Sequence, residues 1–197
     1  MSNNELYDIN HGSTVLAKID GWSGLGTWLN KIVTDLGTIL ARLNKAGSVA
    51  LSTCGLAIGS DTTKIKTASI CKYLVDGILY TKAATDDIDP TACSAQAASK
   101  YAMYLVSINA TGTVKVLKGA DAANEAAAKL PTPAAGEAPI GAILVATAAS
   151  GSGVPFTMGT SNLAGTGVTD TYYSLVGVSE GDIQSDASLS VSALSDS

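Results

Sequence analysis

A heptad repeat of apolar residues constrains the fold of this 197-residue chain more than any other feature. Between residues 22 and 46, apolar side chains recur at alternating steps of three and four, at Trp22, Leu25, Leu29, Ile32, Leu36, Ile39, Leu43 and Ala46. A strict seven-residue period is typical of a coiled-coil seam, whereas the apolar stripe of an ordinary helix follows the 3.6-residue turn. The pattern therefore predicts one helix over 22–46 whose stripe faces other copies of the chain.

The residue types within the heptad indicate how many helices associate. Counting from Leu29, leucine takes the a positions, and Ile32 and Ile39 fall at d. Leucine at a with isoleucine at d favours trimers and tetramers over a parallel dimer. Glycines within the segment weaken a helix by roughly 1 kcal/mol each relative to alanine, so an ordinary amphipathic helix packed on its own domain remains the alternative.

The first 20 residues have a different character. They are mostly polar, with a short apolar patch, Val15-Leu16-Ala17. We expect a flexible arm that becomes ordered only against another protein, with Val15, Leu16 and Ile19 in the contact. Because the first six residues are polar and acidic, we expect no secretion signal.

The chain is poor in the residue types that catalysis requires. Its one histidine, His11, lies in the polar arm, so a Ser-His-Asp or Cys-His site would have to be built on that residue. Cys54, Cys71 and Cys93 lack the spacing of a zinc site, and without a secretion signal we expect reduced, buried thiols. The glycines form no phosphate-binding motif. These observations predict a protein that is not an enzyme and has no metal or cofactor.

One acidic cluster leaves two alternatives open. Asp86, Asp87 and Asp89 lie in a segment that ends at Pro90 and is typical of a turn. A calcium loop is possible on the Asp spacing, although no glycine and closing glutamate follow at the expected positions. The same carboxylates are the only candidates for the acid pair of a glycan hydrolase.

Charge and hydropathy exclude two classes of partner. The net charge is −5, which opposes phosphate neutralisation, so we expect no nucleic acid. The sequence has no apolar run of the roughly 18 residues that a membrane span requires, so we expect no membrane partner.

The remainder of the chain predicts a β-domain over 48–177, after an arm over 1–20 and a trimerisation helix over 21–47. Asp76-Gly77 between two β-rich runs predicts a type I′ hairpin, and Asn109-Ala-Thr-Gly112 predicts a second hairpin between 101–108 and 113–118. Further elements are predicted as strands over 48–58, 62–67, 70–75, 78–82, 101–108, 113–118, 139–147 and 154–177, a loop over 86–100 and a helix over 122–130. The acidic, Ser-rich segment 178–197 is expected to be mobile or peripheral.

Several segments resemble a β-module of tailed-bacteriophage virion proteins of the head-fibre, head decoration (cement) and tail-fibre types. The resemblance runs over about residues 70–175 and includes Tyr73-Leu-Val-Asp-Gly-Ile-Leu-Tyr80, Tyr104-Leu-Val-Ser-Ile-Asn109, Pro139-Ile-Gly-Ala-Ile-Leu-Val145 and Phe156-Thr-Met-Gly-Thr-Ser-Asn-Leu163. It implies a non-enzymatic trimer attached to a capsid or tail, located in the host cytoplasm before assembly and on the particle afterwards. Taken with the heptad, it leads us to expect a homotrimer on the capsid exterior that binds the major capsid protein and stabilises the head. We expect Val15, Leu16 and Ile19 of the arm in the capsid contact.

Together these observations predict a mostly β fold with one N-terminal coiled-coil-like helix and a small β-barrel or sandwich domain, assembled as a homotrimer. The main alternative function is a tail-fibre or head-fibre adhesin module that binds the host surface. A bacterial surface or pilus-like subunit is a further alternative, which the expected lack of a secretion signal disfavours.

Overall fold

The computed structural model describes residues 21–90 and 93–185, and the chain divides into two compact units, Met1–Ala41 and Arg42–Ser197. Helix α1 spans Gly21–Ala46 and so matches the heptad segment to within one residue. The strands in the described ranges are β1 (Val49–Ala50), β2 (Leu56–Ile58), β3 (Ile65–Thr67), β4 (Cys71–Val75), β5 (Ile78–Lys82), β6 (Thr85–Ile88), β7 (Tyr101–Asn109), β8 (Val114–Lys118), β9 (Glu137–Thr147) and β10 (Val168–Ser174). A second helix, α2, spans Glu180–Ser185.

The strands form three antiparallel sheets, with orders β1-β4-β5, β2-β3-β6 and β10-β9-β7-β8. We refer to them as the first, second and central sheets. The prediction of a mostly β chain is confirmed. The barrel alternative is wrong for the described residues, because these three sheets do not close into a barrel.

Two hairpins form where the turn residues predicted them. Asp76 and Gly77 have φ values of 50° and 77°, the left-handed conformation that a type I′ turn requires at both central positions. The second hairpin joins β7 to β8, and the Asn109 side chain accepts hydrogen bonds from the backbone N–H groups of Thr111 and Thr113, both at 3.0 Å. Local turn chemistry therefore determines both connections.

The central sheet carries the core on both of its faces. One face packs Tyr104, Ile143 and Phe156 into a large cluster, and the other packs Met103 and Leu144 into a smaller one. This two-sided burial explains the long, almost continuously apolar sequences of β7 and β9.

One prediction about the middle of the chain is wrong in part, and another is wrong. The expected loop over 86–100 is wrong for residues 86–88, which belong to strand β6 and pair with β3. The expected helix over 122–130 is only a 3₁₀ turn over Glu125–Ala127, because the backbone of Ala122 instead exchanges two hydrogen bonds with Tyr101. A helix of nine residues is too short to form without packing, so this pairing prevails.

The prediction for the C-terminal segment is wrong over residues 178–185. Ser179 forms a bridge with Val49 and begins a turn in which its N–H and Oγ donate to Asp182 Oδ2 at 2.8 and 2.7 Å. Ile183 of α2 is buried in the smaller core cluster. Residues 186–197 lie outside the described part of the chain.

The prediction of reduced thiols is wrong for two of the three cysteines. Cys54 and Cys71 form a disulfide, and both residues are buried. The intervening residues fold back on themselves, since Ser69 N donates to Cys54 O at 3.1 Å and Ala68 N to Gly55 O at 2.9 Å. This backbone pairing brings together two positions that are distant in sequence.

Candidate self-association surface

Helix α1 presents one apolar face with substantial exposure. Leu25, Leu29, Ile32 and Leu36 are spaced by three and four residues, which places them on one side of the helix, and Val33 lies beside them. Leu29, Val33 and Leu36 expose 48%, 68% and 53% of their surface, and Leu25 and Ile32 are half-buried. We call these five residues the α1 stripe.

The opposite side of α1 is polar and is stabilised locally. Lys31 Nζ and Asp35 Oδ2 form an exposed ion pair at 2.9 Å, four residues apart. Thr34 Oγ1 donates to the Asn30 carbonyl at 2.8 Å. The helix is therefore amphipathic in three dimensions, with its charges directed away from the α1 stripe.

Other predicted site residues are only partly described. Trp22, Ile39 and Leu43 lie within α1, but their side chains fall outside the described part of the structure. Val15, Leu16 and Ile19, the predicted capsid-contact residues, lie outside the described residues altogether.

The β-domain has a second exposed apolar group that the sequence analysis did not single out. Leu79 of β5 and Leu51, the residue after β1, expose 60% and 48% of their surface. Leu74 of β4 lies directly opposite Leu79 in the first sheet and is half-buried. We call Leu51, Leu74 and Leu79 the outer patch. The signal in the sequence is the Ile78-Leu79 pair, since two adjacent apolar residues break the alternation of a strand with one buried face.

The acidic cluster holds a neighbouring loop. Asp86 accepts hydrogen bonds from Ser60 N and Ser60 Oγ at 3.1 and 2.6 Å, and Asp87 accepts one from Asp61 N at 2.7 Å. The bonds from the side chain and the backbone of Ser60 hold the pKa of Asp86 below its usual value. These carboxylates therefore already bind the backbone of their own chain.

Lys64 of the same loop forms an ion pair with the acidic cluster. Its Nζ lies 3.0 Å from Asp89 Oδ1, and this hydrogen bond raises the pKa of Lys64.

Within the described residues, no group of three or more potential metal-ligating side chains occurs. In the same part of the chain, neither helix is long and apolar enough to span a membrane.

A small depression lies beside the disulfide, with a volume of about 150 Å³. Asp86, Asp87 and Asp89 do not line it. Its lining residues are Thr53, Cys54, Gly55, Leu56, Ile140, Tyr172, Tyr173 and Ser174. The acids that the sequence analysis considered for hydrolysis are thus not part of this depression.

A buried polar network at one end of the central sheet was also not predicted. Glu137 is buried, accepts a hydrogen bond from Ser107 Oγ at 2.6 Å and forms an ion pair with Lys115. Ser107 and Lys115 are direct partners in the β7–β8 pairing. The register therefore creates this site, and no spacing in the sequence indicates it.

No protein-family model matches the sequence, and comparisons with curated proteins and with solved structures give no match.

Proposed function

We propose that this chain is a non-enzymatic structural protein of a bacteriophage virion, a homotrimeric capsid decoration or cement protein that binds and stabilises the head shell. The observation that carries the proposal is the exposed α1 stripe, in which Leu25, Leu29, Ile32 and Leu36 follow a heptad spacing. The likeness of segments in 70–175 to phage virion β-modules supports the assignment to a virion.

The α1 stripe favours self-association on energetic grounds. Burial of the exposed parts of Leu29, Val33 and Leu36 contributes roughly 1 kcal/mol for each side chain in each copy. The a and d residue types favour three or four helices. Three copies are the number that matches the local three-fold positions of a capsid lattice, where each trimer gains by multivalent contact.

The proposed partner on the capsid is the major capsid protein. Val15, Leu16 and Ile19 of the N-terminal arm would add to an exposed strand edge or fill a groove of a shell subunit. A protein that binds only assembled subunits stabilises the shell by mass action. The protein would lie in the host cytoplasm before assembly and on the capsid exterior afterwards.

Light scattering of the purified chain tests the association. One copy has a mass of 19.8 kDa, so three copies amount to about 59 kDa. Leu36→Lys places a charge in the α1 stripe and should yield monomers, whereas Asn30→Lys places the same charge on the polar face and should leave the trimer intact. A wild-type monomer at all concentrations would overturn the proposal.

Immunogold labelling of the phage particles that contain the chain tests the location. Label over the head shell supports the proposal, and label on the tail supports the tail-fibre alternative instead. Removal of residues 1–20 should leave a trimer that no longer binds the head. Full head occupancy by the truncated protein would contradict the role of Val15, Leu16 and Ile19.

A further inference from the structure

One face of the first sheet packs against the core of its own domain over much of its area. Ala50 lies opposite Tyr73, and Tyr73 lies opposite Tyr80. Ala50 and Tyr73 are buried, and the ring of Tyr73 stacks on that of Tyr80 with centroids 5.7 Å apart. These residues belong to the large core cluster or pack against it, so the core covers this face around Ala50 and Tyr73.

The other face of the same sheet carries the outer patch. Val49, Leu74 and Leu79 form the neighbouring row of paired residues, and successive residues of a strand point to opposite faces. Leu51 continues this face, since its N–H donates to the Lys72 carbonyl at 2.8 Å and so extends the β1–β4 pairing. Four aliphatic side chains thus share one face, and two of them, Leu51 and Leu79, are exposed.

Chain connectivity keeps the start of the first sheet within a short distance of the end of helix α1. Helix α1 ends at Ala46 and β1 begins at Val49, a link of three Cα steps that spans at most about 11 Å. If the α1 stripes of three copies meet around an axis, the first strand of every copy starts close to that axis. The sheet that contains β1 is therefore the part of the β-domain nearest to the helix along the chain.

We propose that the outer patch packs against the outer patches of the other copies and extends the trimer interface from the helices into the β-domains. This inference rests on the proposed function, because it requires copies related by the α1 stripe. The low stability expected of the helical interface alone also supports this inference. A coiled coil of about three heptads with Gly26 and Gly37 in its helix is marginal alone, so further apolar burial is required for a stable trimer.

Two substitutions in adjacent residues of β5 test this inference on the full chain. Leu79→Lys charges the outer patch, and Ile78→Lys charges a residue of equal exposure that points to the opposite face of the strand, with 59% of Ile78 exposed. We expect Leu79→Lys to raise the protein concentration at which the trimer dissociates by roughly tenfold or more. We expect Ile78→Lys to leave it within about twofold of wild type.

Sedimentation velocity across a dilution series measures this concentration, and thermal unfolding confirms that both variants are folded. A Leu79→Lys protein that dissociates like wild type, while Leu36→Lys is monomeric, overturns the outer-patch interface and leaves the proposed function standing. Equal weakening by Leu79→Lys and Ile78→Lys also overturns it, because the effect would then not be specific to one face. A monomeric wild type overturns both proposals.

Discussion

Cys54 and Cys71 are joined by a disulfide that spans 17 positions of sequence, with their Cα atoms 4.7 Å apart. The bond ties the segment after β1 to the first residue of β4 and encloses β2 and β3 between its ends. It therefore closes the base of the segment that carries two of the three strands of the second sheet.

Loss of this disulfide should lower the free energy of unfolding. A closed loop of this length restricts the unfolded chain and contributes about 3 kcal/mol. We expect Cys54→Ser/Cys71→Ser to lower the urea concentration at the unfolding midpoint. A reductant should have the same effect on wild type. The reductant should not change the double variant further. An unchanged midpoint in the double variant would contradict a stabilising role for the bond.

The buried Glu137 should matter far more than the exposed ion pair of α1. Glu137→Ala removes the acceptor of Ser107 and the partner of Lys115, and we expect a loss of about 2–4 kcal/mol in unfolding free energy. Asp35→Ala removes only the exposed partner of Lys31 and should change the unfolding free energy by less than about 1 kcal/mol. Chemical denaturation measures both, and equal effects would contradict this ranking.

Local patterns predicted the elements whose causes are local. The heptad located α1, Asp76-Gly77 located the first hairpin, and the long apolar runs located β7 and β9. Each of these signals lies within a few residues of the element that it produces, so tertiary structure had little to override.

The features that escaped prediction depend on residues far apart in sequence. The disulfide forms because Ser69 and Ala68 pair with the backbone beside Cys54, and Glu137 becomes buried through the register of three strands. The expected helix over 122–130 fails because Ala122 pairs with Tyr101. The outer patch likewise needed the register, which places Leu74 and Leu79 side by side.

Low pH should reduce the stability that the hydrogen bonds between Asp86 and Ser60 contribute. Hydrogen bonds from Ser60 lower the pKa of Asp86, so the folded state binds the proton less tightly than the unfolded state does. The contribution is therefore fully present well above about pH 4 and is lost as the pH falls below that value. We expect Asp86→Asn to be less stable than wild type at pH 7 and the difference to shrink toward pH 2. Thermal unfolding across this range measures it, and a difference independent of pH would contradict the assignment.

Glycine-to-alanine substitutions at two positions should act in opposite directions. A Cβ at Gly37 of α1 meets no atom within 4 Å, and alanine favours the helix by about 1 kcal/mol relative to glycine, so Gly37→Ala should raise helix stability and tighten the trimer. A Cβ at Gly141 of β9 would lie 2.7 Å from the Tyr173 carbonyl oxygen and would clash with Leu56, so Gly141→Ala should lower the unfolding free energy by about 1–3 kcal/mol. Circular dichroism and sedimentation measure the two effects. Weaker association of Gly37→Ala would show instead that helices approach closely at this position.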